Sequence, residues 1–231
     1  MKLVAISDIH GRALNLDRLS RKLEETGFKP DVVLVAGDIT HFKDFQVARG
    51  LLRKIKESVG CRVLFVPGNC DSPELLEVEE LDEGVINIHS RSAVINGYVF
   101  YGIGGGGISP FHTLIEFSEE AFRDFLERAE ALVKGGELIL VTHQPIRGFF
   151  DDVDGGIGSK VFAEYLKRLE PLVWVTGHVH ENSGWARLNK TTVVHPGPLT
   201  HGLYASLEVS GSSVVHVSVK SISDQPSWSS S

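Results

Sequence analysis

Five short runs along the chain are apolar at nearly every position: KLVAIS (2–7), DVVLVAG (31–37), RVLFVP (62–67), ELILVT (137–142) and LVWVT (172–176). Short runs of this kind, rich in Val, Ile and Leu, predict strands buried on both faces, as in parallel sheets. Between them the apolar positions recur at helical spacing. A helix is predicted over about 14–25, stopped by Gly27, and a second over about 44–58. Helices over 119–134 and 160–168 precede the last two strands, with Ser118 and Ser159 placed as N-caps.

A second texture runs through the same chain. AVINGYVFYGIG carries Asn96-Gly97 between two apolar runs, the strongest short signal for a hairpin. WARLNKTTVVHPG and SLEVSGSSVVHVSVK read as further hairpins, the latter turning near Gly211. Parallel βα units combined with hairpins predict an α/β chain in which two mixed β-sheets pack together with helices outside, a four-layer α-β-β-α sandwich. A single domain is expected over 1–222, followed by a low-complexity tail, SDQPSWSSS (223–231), that is expected to be disordered.

Composition narrows the setting. The 231 residues are 42% hydrophobic and 23% charged, as in ordinary soluble domains. No run approaches the roughly 20 apolar residues of a membrane span, and Asp8 interrupts any signal-peptide core. A cytoplasmic protein without membrane association is therefore expected. The formal net charge of −7 argues against bulk nucleic-acid binding. Cys61 and Cys70 sit at opposite ends of one predicted strand, too far apart to pair, so both are expected as thiols.

The residues just beyond each buried strand change the picture. Asp8 and His10 come after the first, Asp38 after the second, and Asn69, Cys70 and Asp71 after the third. His143 comes after the fourth, and His178 and His180 after the fifth. Open α/β sheets bind ligands at the carboxyl ends of their strands. A lone Asp or His at such a point is ordinary turn chemistry, but five strands bringing these side chains to one edge form a mixed oxygen and nitrogen donor set. Such a set suits divalent transition metals, and seven donors are enough for two ions sharing a carboxylate.

The motifs D-x-H at Asp8/His10, G-D at Gly37-Asp38, G-N-x-D at Gly68–Asp71, the lone His143, and G-H-x-H at Gly177–His180 resemble the calcineurin-like metallophosphoesterase superfamily. They occur in the family's order, and HPGPL (195–199) resembles its closing segment. The resemblance implies the two-sheet sandwich. It also implies that Asp8, His10 and His180 hold one metal, that Asn69, His143 and His178 hold the other, and that Asp38 bridges them. The ions implied are manganese first, with iron, zinc, nickel or cobalt as alternatives. The implied reaction is hydrolysis of a phosphate ester of unspecified identity, by in-line attack of a metal-bridging hydroxide. Asp71 is not a ligand in this scheme and would orient its neighbour or the loop.

Cys70 stands where many members of the superfamily carry a histidine thought to steady the phosphate or protonate the leaving group. A neutral thiol is a weak donor and never carries positive charge. The departure shifts the expectation from phosphomonoesters towards phosphodiesters, as in similar small single-domain members with cysteine here. The rival readings are a phosphomonoesterase or protein phosphatase, and a non-catalytic scaffold like the retromer subunit with this fold. As a plain side chain, Cys70 reads first as a space filler, then as a redox-sensitive thiol, and last as a metal ligand, since Asn69 takes that position in the resemblance.

Further histidines are candidates for substrate contact. His41, His112 and His201 all lie in loops near motif residues, and His112, in the glycine-rich loop GGGGISPFHTLIEF, is the preferred one. His195 stands where relatives often carry asparagine and is a candidate for lining the site. His89 and His216 read as structural. Gly102–Gly107 matches G-x-G-x-x-G formally, but Ser109-Pro110 comes next instead of a helix start, so no dinucleotide site is expected. Asp151, Asp152 and Asp154 lack the glycine and glutamate of an EF-hand loop and read as solvated.

Overall fold

The computed structural model describes residues 1–132, 136–153 and 155–223. The last two residues expected in the third helix, Asp154, and the expected tail from 224 onward lie outside the described residues. Each of the five apolar runs forms a strand: β1 (Lys2–Ile6), β2 (Val32–Ala36), β3 (Arg62–Val66), β10 (Glu137–Thr142) and β11 (Val173–Val175). The helices between them are α1 (Ala13–Thr26), α2 (Phe45–Val59), a single turn α3 (Glu74–Glu77), α4 (Glu119–Leu132) and α5 (Lys160–Leu169). The remaining strands are β4 (Glu80–Asp82), β5 (Val85–Asn87), β6 (Ser92–Ile95), β7 (Tyr98–Ile103), β8 (Gly106–Gly107), β9 (Glu116–Phe117), β12 (Gly184–Leu188), β13 (Thr191–His195), β14 (Leu203–Ser210) and β15 (Ser213–Ser221).

The first large sheet has the order β15-β14-β1-β2-β3-β5-β4, and the second β12-β13-β11-β10-β7-β6. Four neighbouring strands in the middle of each sheet run parallel, and the flanking strands are antiparallel. The five donor-bearing strands are thus divided between two sheets, three in one and two in the other, rather than sharing one sheet edge. Their carboxyl ends meet across the sandwich.

Period-two burial explains why these runs are apolar throughout. Val32, Leu34 and Ala36 of β2 face the inter-sheet core with Leu64, Val66, Ile139 and Val141. Val33 and Val35 face outward, against Leu16, Leu19 and Leu23 of α1 and Leu51, Leu52 and Ile55 of α2. On the other side Leu138, Leu140 and Trp174 pack beneath Phe122 and Leu126 of α4 and Phe162 and Tyr165 of α5. The result is the four-layer α-β-β-α order. Each such aliphatic or aromatic side chain stabilises the fold by about 1.5–3 kcal/mol when fully buried.

Local chemistry sets the ends of the elements. Ser159 accepts from the Phe162 amide and Ser118 from the Ala121 amide, capping α5 and α4. Asp44 caps α2 in the same way through Val47. The β6–β7 hairpin turns at Asn96 and Gly97, with φ of 51° and 82°, as a type I′ turn requires. The β12–β13 and β14–β15 hairpins also form, the second turning at Gly211. Pro73 to Asn87 holds structure that the sequence pattern does not announce, α3 and the β4–β5 pair, which extends the first sheet beyond β3.

Candidate metal centre

Asp8, Asp38, Asn69 and His143 all lie within the first few residues after their strands and are buried at the mouth of the sandwich. Two groups of donors gather there. Ligand atoms of Asp8, His10 and His180 lie within 4.8 Å of one another, as do those of Asp38, His143 and His178. Asp38 faces both groups: Oδ2 is 3.7 Å from His10 Nε2, and Oδ1 is 3.4 Å from His143 Nε2. Asn69 Oδ1 is 2.9 Å from His143 Nε2. All seven residues singled out as donors in the sequence are therefore brought together, with one carboxylate between two sets.

Protonation follows from the partners. His143 Nδ1 lies 2.8 Å from the Ala36 carbonyl, which can only accept, so Nδ1 carries the proton and Nε2 offers a lone pair. That lone pair faces Asn69 Oδ1 and, at 3.2 Å, His178 Nδ1. His10 Nε2 and His180 Nε2 face each other at 3.1 Å. Asp8 is held on one oxygen by the Ser7 hydroxyl and the His178 amide, leaving Oδ1 turned to His180 at 3.2 Å. Imidazole nitrogens, carboxylate oxygens and one amide oxygen converging on one another, with His143 and Asp8 held from behind by further hydrogen bonds, make a donor set that fits divalent cations.

Burial pushes His143 down to about 4 and His178 down to about 3, so both are neutral at neutral pH, as cation binding requires. Burial would raise Asp8, but the hydrogen bond from His180 and the nearby His143 outweigh it and hold the carboxyl below its usual range. His180 moves the opposite way, raised by its hydrogen bond to Asp8. Asp38 is raised, first by burial and then by the charges of Asp71 and Asp8. A cation beside it would reverse that balance.

The backbone is as specialised as the side chains. Asp8, His10, Asp38 and His178 have φ of 53°, 44°, 49° and 77°. For a non-glycine residue the left-handed region costs about 1–2 kcal/mol, and Asp, Asn and His enter it more readily than most. The motif glycines beside them allow close approach. A Cβ at Gly37 would stand 2.4 Å from His143 Nδ1, and one at Gly68 would stand 2.0 Å from Asp38 Oδ1.

Asp71 is buried behind the donors and takes no place among them. It accepts from the amides of Ile39, Thr40 and Gly68 and from the Thr40 hydroxyl, tying the second motif loop to the third. Cys70 is turned to Asp38: its amide donates to Oδ1 at 2.9 Å and its thiol hydrogen-bonds the same side chain. Burial, and then Asp38, push the thiol well above its usual range, so it stays neutral. Cys61 is likewise a free thiol.

The donors open into a cleft of about 530 Å³, lined also by Arg12, His41, Cys70, Thr200 and His201. His41 and His201 stand edge-on to His10 and His180, with ring centroids 5.3 Å and 6.3 Å apart. His112 is exposed and is not among the residues lining this cleft. Its loop is nonetheless attached to the site, because the Leu114 and Ile115 amides donate to the Asn69 carbonyl. His195 is fully buried behind the cleft rather than on its wall. His89 is a buried acceptor for the Gly104 amide, stacked on Phe117, and His216 is exposed on the edge strand β15. Gly104 lies against Pro67, where a Cβ would come within 2.4 Å of its carbonyl, so the glycine run serves packing. Arg12 and Thr200 had no signal of their own in the sequence, although Arg12 closes the D-x-H stretch.

A two-sheet α-β-β-α sandwich with two histidine and carboxylate groups at its mouth is the arrangement expected of the calcineurin-like phosphoesterases. The model of the calcineurin-like phosphoesterase family matches residues 1–182, and the chain belongs to that family. It is similar to an uncharacterised protein of Methanocaldococcus jannaschii, 32% identical over 88% of this chain and 91% of that one. Two crystal structures share the fold. The TT1561 protein of Thermus thermophilus has a TM-score of 0.76 at 20% identity, covering 96% of this chain and 98% of that one. A dimetal phosphatase from Danio rerio has a TM-score of 0.62 at 13% identity, covering 96% and 99%. Among the described residues no helix is long and apolar enough to cross a membrane.

Proposed function

We propose that the chain is a phosphodiesterase working with two divalent cations, manganese first among the candidates. The observation that carries the reading is the position of Asp38 between two donor groups in one cleft. Asp8, His10 and His180 would hold one cation, Asn69, His143 and His178 the other, and Asp38 would be shared. The dimetal character of the similar Danio rerio phosphatase supports two ions here. Bound cations would supply the Lewis-acid charge that activates water and offsets the charge of the phosphate.

The chain's own residues divide the rest of the work. Buried, neutral His143 and His178 keep their lone pairs available without prior loss of a proton. Arg12, His41 and His201 line the open side of the cleft, where a phosphate oxygen or a leaving group would lie. Cys70 supports the diester preference. Its thiol is neutral and engaged with Asp38, so it offers the phosphate neither a positive charge nor a free strong donor. A monoester dianion needs such a charge more than a diester monoanion does.

The test is hydrolysis of bis-p-nitrophenyl phosphate beside p-nitrophenyl phosphate by metal-stripped and Mn-loaded protein, with Asp38→Asn as control. Manganese-dependent turnover favouring the diester, reduced by roughly a hundredfold or more in the control, is expected. Preference for the monoester would overturn the diester reading. Tight metal binding with no turnover of either ester would favour a scaffold.

A further inference from the structure

His195 ends β13 with its side chain fully enclosed. Its Nε2 lies 2.8 Å from the Val179 carbonyl. A carbonyl only accepts, so the proton sits on Nε2, and Nδ1 is left as an acceptor that the Gly197 amide meets at 3.4 Å. The Phe150 ring stands edge-on to the imidazole, with ring centroids 6.1 Å apart.

Val179 occupies a special place: it separates His178 from His180, and these two belong to different donor groups. The segment is also strained, because His178 has φ of 77°. A loop in that state keeps its geometry only while its peptides are held from outside. The Gly177 amide is held by the His143 carbonyl at 3.1 Å, and the His178 amide by Asp8 at 3.2 Å. The Val179 carbonyl is met by the Asn182 amide at 3.4 Å and, more closely, by His195.

We propose that His195 is a positioning residue for both cation sites, its bond to Val179 setting the reach of His178 and His180 together. The inference rests on the metal-centre reading above. A merely structural histidine would cost stability when removed and leave cation affinity alone. A positioning histidine weakens both sites in parallel, because the one carbonyl it holds lies between the two ligands. Losing an outer partner of this kind typically lowers metal affinity about 10–100-fold.

The experiment is Mn²⁺ binding to the metal-stripped full chain by equilibrium dialysis with metal analysis, alongside thermal unfolding. His195→Gln places an amide nitrogen near the reach of Nε2, whereas His195→Leu removes the donor. His195→Phe removes it while keeping a ring, should the aliphatic chain prevent folding. Asn87→Ala is the control, a buried side chain that donates to the Leu75 and Val78 carbonyls beside β4 and β5. Expected are a loss of about tenfold or more at both sites for Leu and Phe, and binding within about threefold of the parent for Gln. Asn87→Ala is expected to be less stable with unchanged binding. Parent-like binding by folded Leu or Phe variants, loss at one site only, or a Gln variant as weak as Phe would overturn the proposal. A parent protein that takes up no Mn²⁺ would overturn the metal-centre reading and this inference with it.

Discussion

Asp71 accepts two hydrogen bonds from Thr40, at 2.7 Å from the amide and 2.8 Å from the hydroxyl, across 31 residues of chain. With the amides of Ile39 and Gly68 on its other oxygen, the carboxylate locks two motif loops together without entering the donor set. Asp71→Ala leaves several buried donors unsatisfied and should destabilise the metal-free protein by about 3 kcal/mol or more. Asp71→Asn, which keeps one acceptor oxygen, should lose less. Urea denaturation of the stripped proteins measures both, and an unchanged midpoint for Asp71→Ala would contradict the role.

Gly68→Ala should act on the site directly. Its Cβ would stand 2.0 Å from Asp38 Oδ1, and the nearest competing neighbour is the Asp38 amide at 2.1 Å, so neither can simply rotate away. Overpacking of this kind costs typically about 1–3 kcal/mol. Here it should also displace the shared carboxylate, abolishing diesterase turnover. Retained turnover would mean that Asp38 has freedom the packing does not suggest.

Cys70→His is expected to raise p-nitrophenyl phosphate hydrolysis relative to the diester, because an imidazolium supplies the charge that the thiol lacks. Cys70→Ser, which keeps a small donor beside Asp38, should leave the ratio unchanged. The readout is the quotient of kcat/KM for the two esters, and an unmoved quotient in the histidine variant would dismiss Cys70 as a specificity determinant.

The loop between β8 and β9 carries its own pH dependence. Burial would raise the Glu116 carboxyl, but hydrogen bonds from the Ser109 and Thr113 side chains and amides bring it down to about 2 from 4.5. A carboxyl depressed in the folded state contributes its stability above the unfolded value and loses it as pH falls through the folded one. The protection of the amides over 108–115, taken as the exchange rate relative to an unstructured peptide at the same pH, should therefore be highest at pH 5 to 7 and fall progressively as pH drops from about 4.5 to about 2. Glu116→Gln should show the faster exchange already at pH 6. Equal protection in the parent and Glu116→Gln at pH 6 would remove the clasp.

The parts legible in the sequence share a physical reason. The five strands show as continuous apolar runs because Val33 and Val35 meet helices while Val32 and Leu34 meet the second sheet. The donors show because each comes directly after such a run. By contrast, β4 and β5 lie in VEELDEGVINI, where acidic residues interrupt any alternation, and their pairing with β3 is decided by the sheet rather than by local preference. The division of the donor strands between two sheets is equally invisible, since a strand end looks the same in either. His112 drew attention through its glycine-rich loop, yet that loop presents Ile108, Phe111 and Leu114 to solvent, 73%, 82% and 47% exposed, and His112 with them. Cys70 looked like a missing histidine and proves also to be a hydrogen-bond partner of Asp38. Only the folded chain places it there.

The left-handed backbone at Asp8, His10, Asp38 and His178 restricts how this site can drift over generations. A β-branched residue at any of the four meets a steric penalty before its chemistry matters, whereas glycine and asparagine enter at little cost. Descendants that abandon catalysis should thus be recognisable by an uneven vocabulary at these columns, rich in Gly, Asn and Asp and poor in Val, Ile and Thr. Asn69 and His143, where the chain keeps an ordinary conformation, carry no such backbone filter and are restricted by their burial alone.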